Sequence, residues 1–167
     1  MITTPQEDFE KVMRALLMLH LPAAFALQII RGEQPQREGL SNGIYFHRIG
    51  TTMRGWQARS YALASPTTLN QTERQVTEYL YQFTAVADSD PHDCIEVVRN
   101  VVSSLAFVES ARLYNAGVQR PSNILSPTFV NERGQYEQSP NFTVAFTLQQ
   151  SATKLTASTD AATIETL

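Results

Sequence analysis

The segment from Asn141 to Gln149 constrains the fold more than any other part of the sequence. Phe142, Val144, Phe146 and Leu148 alternate with polar or small residues. Alternation with a period of two is typical of a β-strand that buries one face. The segment contains no base, nucleophile or set of metal ligands, so it predicts a scaffold strand whose apolar face points to a core.

Other strands are predicted from similar patterns. Arg74–Ala87 is the longest strand candidate, and bulky side chains on both of its faces indicate a central position in the sheet. Gly43–Ile49 and Trp56–Ala64 are predicted as two further strands, separated by a turn or loop at Gly50–Gly55. A short strand is also predicted from Phe25 onward.

Two helices are predicted from capping patterns. Thr4 can cap the first helix, Pro5 suits its first position, and apolar residues recur at helical spacing until Pro22 ends it. Asp90 can cap the second helix in front of Pro91. The order of elements predicts an α+β fold, in which a sandwich-like antiparallel β-sheet is flanked by two α-helices.

The length of 167 residues suits one domain with a hydrophobic core. We expect a single α+β domain over residues 1–150. Residues 151–167 are rich in Thr, Ala and Ser without a core pattern, and they are predicted to form a flexible C-terminal tail. A polar loop is predicted at Gly32–Asn42, and a hairpin turn at Asn131–Gly134.

The composition excludes several classes of protein. Charged residues make up 17% of the chain, against roughly 25% in a typical globular protein. The net charge of −3 argues against binding of nucleic acid by charge alone. Cys94 is the single cysteine, which excludes an intramolecular disulfide and favours a reducing compartment. The apolar run Ala15–Ile30 is too short for a membrane span, so we expect a soluble protein without a membrane partner.

The cluster Asp88–Cys94 is the most suggestive candidate for chemistry. Asp88, Asp90, His92 and Cys94 could form a metal site. The alternative is a helix start, in which the acidic residues cap the helix and Cys94 is a buried thiol. We favour the helix start, because the sequence contains no matching second cluster of ligands.

The remaining candidates for catalysis are isolated. His20, His47 and His92 belong to three different predicted elements, which favours structural roles. The glycines match neither a dinucleotide-binding nor a phosphate-binding fingerprint. We therefore predict no catalytic residues, no cofactor-binding residues, no metal ligands and no cofactor. A small metal-dependent hydrolase centred on residues 88–94 is the less favoured alternative.

Five arginines form a loose positive region. They are Arg31, Arg37, Arg48, Arg54 and Arg59, with Tyr45, Phe46 and Trp56 among them. A surface for single-stranded nucleic acid is conceivable. Arginines that pair across subunits are the favoured interpretation, because the planar guanidinium suits interface contacts.

The order of these features resembles the neck or tail-terminator proteins of tailed bacteriophages. The matching steps, spread over residues 4–150, are Arg31-Gly32, Gln34-Pro35, Ile44–His47, Asp88–Asp93, Gly117 and Gln135-Tyr136-Glu137. Each step is short and made of common residues, so their order carries the resemblance.

The resemblance implies a tail-terminator-like fold and a structural virion protein without catalysis. Such a protein forms a homo-oligomeric ring, typically a hexamer, that caps the tail tube, ends tail growth and joins the tail to the head connector. Implied partners are the tail tube protein, a head-completion or connector protein and the sheath, with genomic DNA passing through the lumen without sequence-specific binding. The implied location is the neck of the virion, assembled in the host cytoplasm. A tail-tube or head-completion protein is the alternative.

Overall fold

A computed structural model describes most of the 167-residue chain. The described residues are 5–22, 28–31, 42–65, 68–87, 90–130, 134 and 136–157. The predictions for Thr4, for the strand start near Phe25, for most of the loop Gly32–Asn42 and for the last ten residues lie outside them.

The described residues form three helices and seven strands, which confirms the predicted α+β class. The helices are α1 (Pro5–His20), α2 (Pro91–Ser103) and α3 (Leu105–Arg112). The strands are β1 (Gln28–Arg31), β2 (Gly43–Ser65), β3 (Thr68–Val86), β4 (Ala116–Val118), β5 (Thr128–Val130), β6 (Tyr136–Gln138) and β7 (Asn141–Ala157).

Local sequence signals explain where the helices begin and end. α1 starts at Pro5 and ends just before Pro22, as predicted. Where the sequence predicted one second helix, Ser104 adopts an extended conformation and separates α2 from α3. The Ser104 hydroxyl accepts a hydrogen bond from the Phe107 amide, so the same residue ends one helix and caps the next. No helix within the described residues is long and apolar enough to cross a membrane.

A five-stranded mixed sheet organises the molecule, with the strand order β1-β2-β3-β7-β4. β1 is parallel to β2, and the other neighbours are antiparallel. The prediction that Arg74–Ala87 belongs to a central strand is confirmed, because β3 lies between β2 and β7. The longest strand is β2 with 23 residues, and not β3 with 19. β5 and β6 pair antiparallel in a separate two-stranded sheet. The predicted turn at Asn131–Gly134 lies outside the described residues, except for Gly134.

β2 and β7 are longer than the sequence predicted. The prediction of a turn at Gly50–Gly55 is wrong, because β2 runs without interruption from Gly43 to Ser65 and both glycines lie within it. The predicted tail from Ser151 is wrong over its first seven residues, because β7 continues to Ala157 and pairs with β3 to its end.

The core lies between one face of the sheet and the helices. Phe142, Val144, Phe146 and Leu148 are all buried, which confirms the predicted inward face of this strand. They belong to one apolar cluster with the buried side chains of α1, α2 and α3. The core covers only the end of the sheet nearest the helices, and the long strands extend beyond it.

Candidate interaction surface

The candidate cluster Asp88–Cys94 lies at the start of α2, as the favoured interpretation predicted. The Asp90 side chain accepts hydrogen bonds from the amides of His92 and Asp93, at 3.1 and 3.3 Å. This carboxylate therefore stabilises the first turn of α2, as a capping residue does. Asp88, the other acidic residue of the candidate site, lies outside the described residues.

Cys94 and His92 are the two further members of the candidate metal cluster. Cys94 is half-buried against the core, and burial, with Asp90 and Asp93 nearby, raises the pKa of its thiol. A raised pKa favours the neutral thiol, whereas a metal ligand or nucleophile needs the thiolate. His92, Asp93 and Glu96 have ligand atoms within 4.8 Å of one another, an arrangement that exposed acidic groups commonly form without a metal. The absence of a metal role stays a prediction.

The three histidines lie apart, in α1, β2 and α2. The Nε2 atom of His20 lies 3.0 Å from the Ser110 hydroxyl, and its ring packs edge-on against Phe107 at 5.9 Å. These contacts between α1 and α3 fit the structural role predicted for His20. His47 lies within β2, opposite Gln82 of β3.

The arginines of β2 pair within the chain. Arg54 makes a two-pronged contact with Glu78, at 3.0 and 2.9 Å, and Arg59 lies 3.1 Å from Glu73. The guanidinium of Arg48 lies 5.9 Å from the centre of the Tyr79 ring. Each of these side chains has a partner on β3, and the predicted pairing of arginines across subunits stays a prediction. Arg37 and the side chain of Arg31 are not described.

The most conspicuous surface feature is the part of the sheet that extends past the core, which we call the blade. It consists of Arg54–Ser65, Thr68–Val76 and Gln149–Ala157 from β2, β3 and β7. The residues of its β2 segment from Arg54 to Ala64 are exposed. Its large apolar side chains are exposed to solvent: Trp56 98%, Leu63 77%, Leu155 69% and Tyr61 57%.

The blade also differs from the rest of the chain in charge. It contains Arg54, Arg59, Arg74 and Lys154 against Glu73, a net charge of +3. The whole chain carries −3, so the remaining residues carry −6. An extended surface with exposed aromatic and apolar groups and its own charge is typical of a binding surface. Sequence reasoning predicted the strand Trp56–Ala64 but missed its exposure, because an alternating pattern does not show whether a core covers either face.

A bulge presents Trp56 at the base of the blade. Gly55, Trp56 and Gln57 of β2 lie opposite the single residue Gln75 of β3. Gly55 has a φ of 71°, which glycine adopts without strain. The Gln75 side-chain amide donates to the carbonyl of Arg54 at 3.0 Å and so holds the bulge in place. The bulge therefore directs the indole outward, where it contacts no core residue.

An apolar cavity lies between α1 and the base of the blade. Its volume is about 230 Å³, and it is open to solvent. Phe9 and Val12 of α1, Leu148 of β7 and Tyr114 beside β4 form its apolar wall. This cavity and the blade form one continuous candidate surface for a protein partner.

The fold is similar to that of a solved protein from a contractile injection system. The chain resembles the sheath/tube terminator of the extracellular contractile injection system PVC, solved by cryo-electron microscopy in its extended state, with a TM-score of 0.52 and 15% sequence identity. The alignment covers 100% of this chain and 64% of the terminator, so the chain spans less than two thirds of that protein. This likeness establishes the fold.

The sequence defines the family more narrowly. The chain belongs to the family of the E217 gateway protein gp29, a phage protein, whose family model matches residues 10–158. The predicted resemblance to phage neck and tail-terminator proteins is thereby confirmed. No curated protein sequence matches the chain.

Proposed function

We propose that the protein is a structural virion protein of the phage neck. It forms a ring, typically a hexamer, that caps the tail tube, ends tail growth and joins the tail to the head connector. The observation that carries this proposal is the match of residues 10–158 to the gateway protein family. The terminator fold supports the same conclusion.

The geometry of the molecule supports a function based on association. A ring needs two different surfaces on each subunit that fit each other by rotation. The blade offers one exposed surface with net charge +3, and the rest of the chain carries −6. Complementary charge of this kind promotes correct encounter between subunits and suppresses incorrect contacts.

The partners follow from this role. One face of the ring contacts the tail tube protein, with the sheath as a further partner, and the other contacts a head-completion or connector protein. Genomic DNA passes through the lumen without sequence-specific contacts. The protein acts in the neck of the virion after assembly in the host cytoplasm, and its role requires no catalysis.

Deletion of the gene from the phage tests this function. Without the protein, we expect heads and tails that do not join, with tails of abnormal length or unstable ends, as measured by electron microscopy of negatively stained lysates. A plasmid copy of the wild-type gene is the control and should restore joined particles. Normal joined particles without the protein would refute the proposal.

The same micrographs distinguish the alternatives. Loss of all tubes would indicate a tail-tube subunit. Tails of normal length with intact ends, beside heads that have lost their DNA, would indicate a head-completion protein. A terminator predicts defects at the head-proximal tail end.

A further inference from the structure

We propose that the outer edge of β7, from Gln149 to Leu155, binds the C-terminal segment Ser158–Leu167 of a second copy of this chain as an added β-strand. The inference rests on the ring of the proposed function and deepens it, because it names a contact that links neighbouring subunits. The structure supplies the acceptor edge for this segment.

The backbone of β7 shows which of its groups face outward. The Asn141 amide donates to the Leu125 carbonyl at 2.8 Å, and the Ala145 carbonyl accepts from the Gln119 amide at 2.9 Å. Both partners lie on the side of β7 away from β3. Odd-numbered residues of β7 therefore direct their N–H and C=O groups away from β3, because these groups alternate along an antiparallel strand.

This alternation continues to the end of the strand. β7 pairs with β3 without a register shift from Asn141 to Ala157. β4 covers the outer edge only at Phe146–Leu148, and among the described residues no strand pairs with the edge beyond it. Four residues there present outward N–H and C=O groups: Gln149, Ser151, Thr153 and Leu155.

The two outer edges of the blade, formed by β2 and β7, differ in their protection against pairing with another strand. Within the blade, the pairing of β2 with β3 contains two register shifts, at Arg54/Ala58 and Leu63/Ser65. Such bulges are a common device against pairing with another strand. The β7 edge is regular and has no proline. A regular, unpaired edge is a template for strand addition.

The apolar cavity lies where this free edge begins. Leu148, Gln149 and Gln150 of β7 line it together with Phe9 and Tyr114. A strand added beside Gln149–Leu155 would place an end residue at this cavity. In strand addition, main-chain hydrogen bonds provide affinity and side-chain pockets provide specificity. The cavity therefore selects a segment with an apolar residue near one end.

The C-terminal segment has the matching chemistry. Its sequence, STDAATIETL, contains β-prone Thr and Ile residues and neither glycine nor proline. Asp160 and Glu165 give it two negative side chains, which oppose the net positive charge of the blade. Ile164 and Leu167 are candidates for the cavity. The segment lacks the Asn-Gly and Asp-Gly steps of tight hairpins, which favours the edge of another copy over its own.

The first experiment compares the full chain with a chain that ends at Ala157, using sedimentation over a range of protein concentrations. We expect the full chain to assemble and the shortened chain to need at least about tenfold more protein for the same degree of assembly. Equal assembly of both chains would overturn the inference and leave the ring intact. A full chain that is monomeric at every concentration would overturn both.

The second experiment uses a labelled synthetic peptide of residues Ser158–Leu167 and the shortened chain. We expect the peptide to bind, and Thr153→Pro to weaken binding about tenfold or more, because proline removes one outward N–H from the edge. Thr153→Val keeps this N–H and is the matched control. Ala152→Pro instead removes an N–H that faces β3, so it should lower the melting temperature.

Variants with reversed charge test the same contact independently, in case Thr153→Pro fails to fold. Lys154→Glu should weaken binding of the wild-type peptide, and a peptide with Asp160→Lys and Glu165→Lys should bind the wild-type edge more weakly. Absence of peptide binding, or equal binding to the folded Thr153→Pro and Thr153→Val chains, would overturn the inference.

Discussion

Strands β2, β3 and β7 form two regions, the core end and the blade, which differ in the side-chain contacts between neighbouring strands. At the core end, aromatic side chains from neighbouring strands pack on each other, as in the stacked pair Phe83 and Phe142 at 5.1 Å. In the blade, cross-strand contacts are polar, as in the hydroxyl pair Thr72 and Thr153 at 3.1 Å. Backbone pairing continues through both regions, so the difference lies in the side chains.

This difference assigns separate roles to the two regions. A small sheet without a buried face is marginally stable by itself, whereas burial of apolar area stabilises a fold strongly. The core end therefore determines the stability of the protein. The blade is anchored by its continuity with the core strands and keeps its surface available for a partner.

The largest predicted effect is a difference in the free energy of unfolding between a variant of a core residue and a variant of a blade residue. Phe146 is buried and lies 5.2 Å from Phe9 and 5.9 Å from Tyr81, between ring centres. Phe146→Ala should lower the free energy of unfolding by about 3–5 kcal/mol. Trp56→Ala, at a fully exposed position, should change it by no more than about 0.5 kcal/mol. Chemical denaturation measures both, and comparable losses would contradict the division into two regions.

The next effect concerns a polar contact inside the core. The Tyr81 hydroxyl donates to the Glu10 carboxylate at 3.1 Å, and both side chains are buried. Tyr81→Phe should cost about 1–3 kcal/mol, because the carboxylate loses a buried hydrogen bond. Glu10→Gln is a useful companion variant, because an amide oxygen can still accept this bond. An unchanged stability of Tyr81→Phe would show that water reaches the carboxylate.

Tyr81 also predicts a pH dependence. Burial, with the Glu10 carboxylate nearby, raises the pKa of Tyr81 well above the ordinary value for tyrosine. The folded state therefore keeps its phenol neutral where the unfolded chain ionises. Stability from this group is complete below about pH 10 and falls above it by about 1.4 kcal/mol per pH unit. This slope should disappear in Tyr81→Phe.

A smaller effect is predicted at the helix cap opposite the blade. Asp90→Ala should cost about 1 kcal/mol, because the first turn of α2 loses a hydrogen-bond acceptor. His92→Ala is the control and should leave stability and assembly intact, since His92 contributes only its main-chain amide to the cap. Stoichiometric zinc in the purified protein that is lost in His92→Ala would instead support the metal site.

The sequence predicted the core end of the sheet well and the blade poorly, for one physical reason. Phe142–Leu148 alternates because one face is buried, and Asp90-Pro91 is a local capping signal. The distal part of β2 is exposed on both faces, so the strand predicted at Trp56–Ala64 gives no sign of whether a core covers it, and Gly50 and Gly55 resemble a turn. In the structure these glycines lie next to register shifts within a continuous strand.

The candidate surface depends on strand pairing and on packing between distant elements, which are not visible in the sequence. Whether the edge of β7 is free depends on the length of β4, which covers only Phe146–Leu148. The cavity depends on α1 and Tyr114 meeting the end of β7. By contrast, the family resemblance could be recognised from the order of short motifs, since that order is a property of the sequence.

The smallest predicted effect lies at the junction of core and blade. Hydrogen bonds from Arg54 and Gln119 to Glu78 lower the pKa of its carboxyl group. Stability from this contact is present above the ordinary carboxyl pKa and is lost as the pH falls through the lowered value. Arg54→Gln should raise the Glu78 pKa toward its ordinary value, which NMR titration of the side-chain carboxyl measures. Arg59→Gln is the matched control, because Arg59 pairs with Glu73 and should leave Glu78 unchanged. Equal shifts in both variants would mean that the net charge of the blade lowers the Glu78 pKa, and an unchanged pKa in Arg54→Gln would show that Gln119 alone holds the carboxylate.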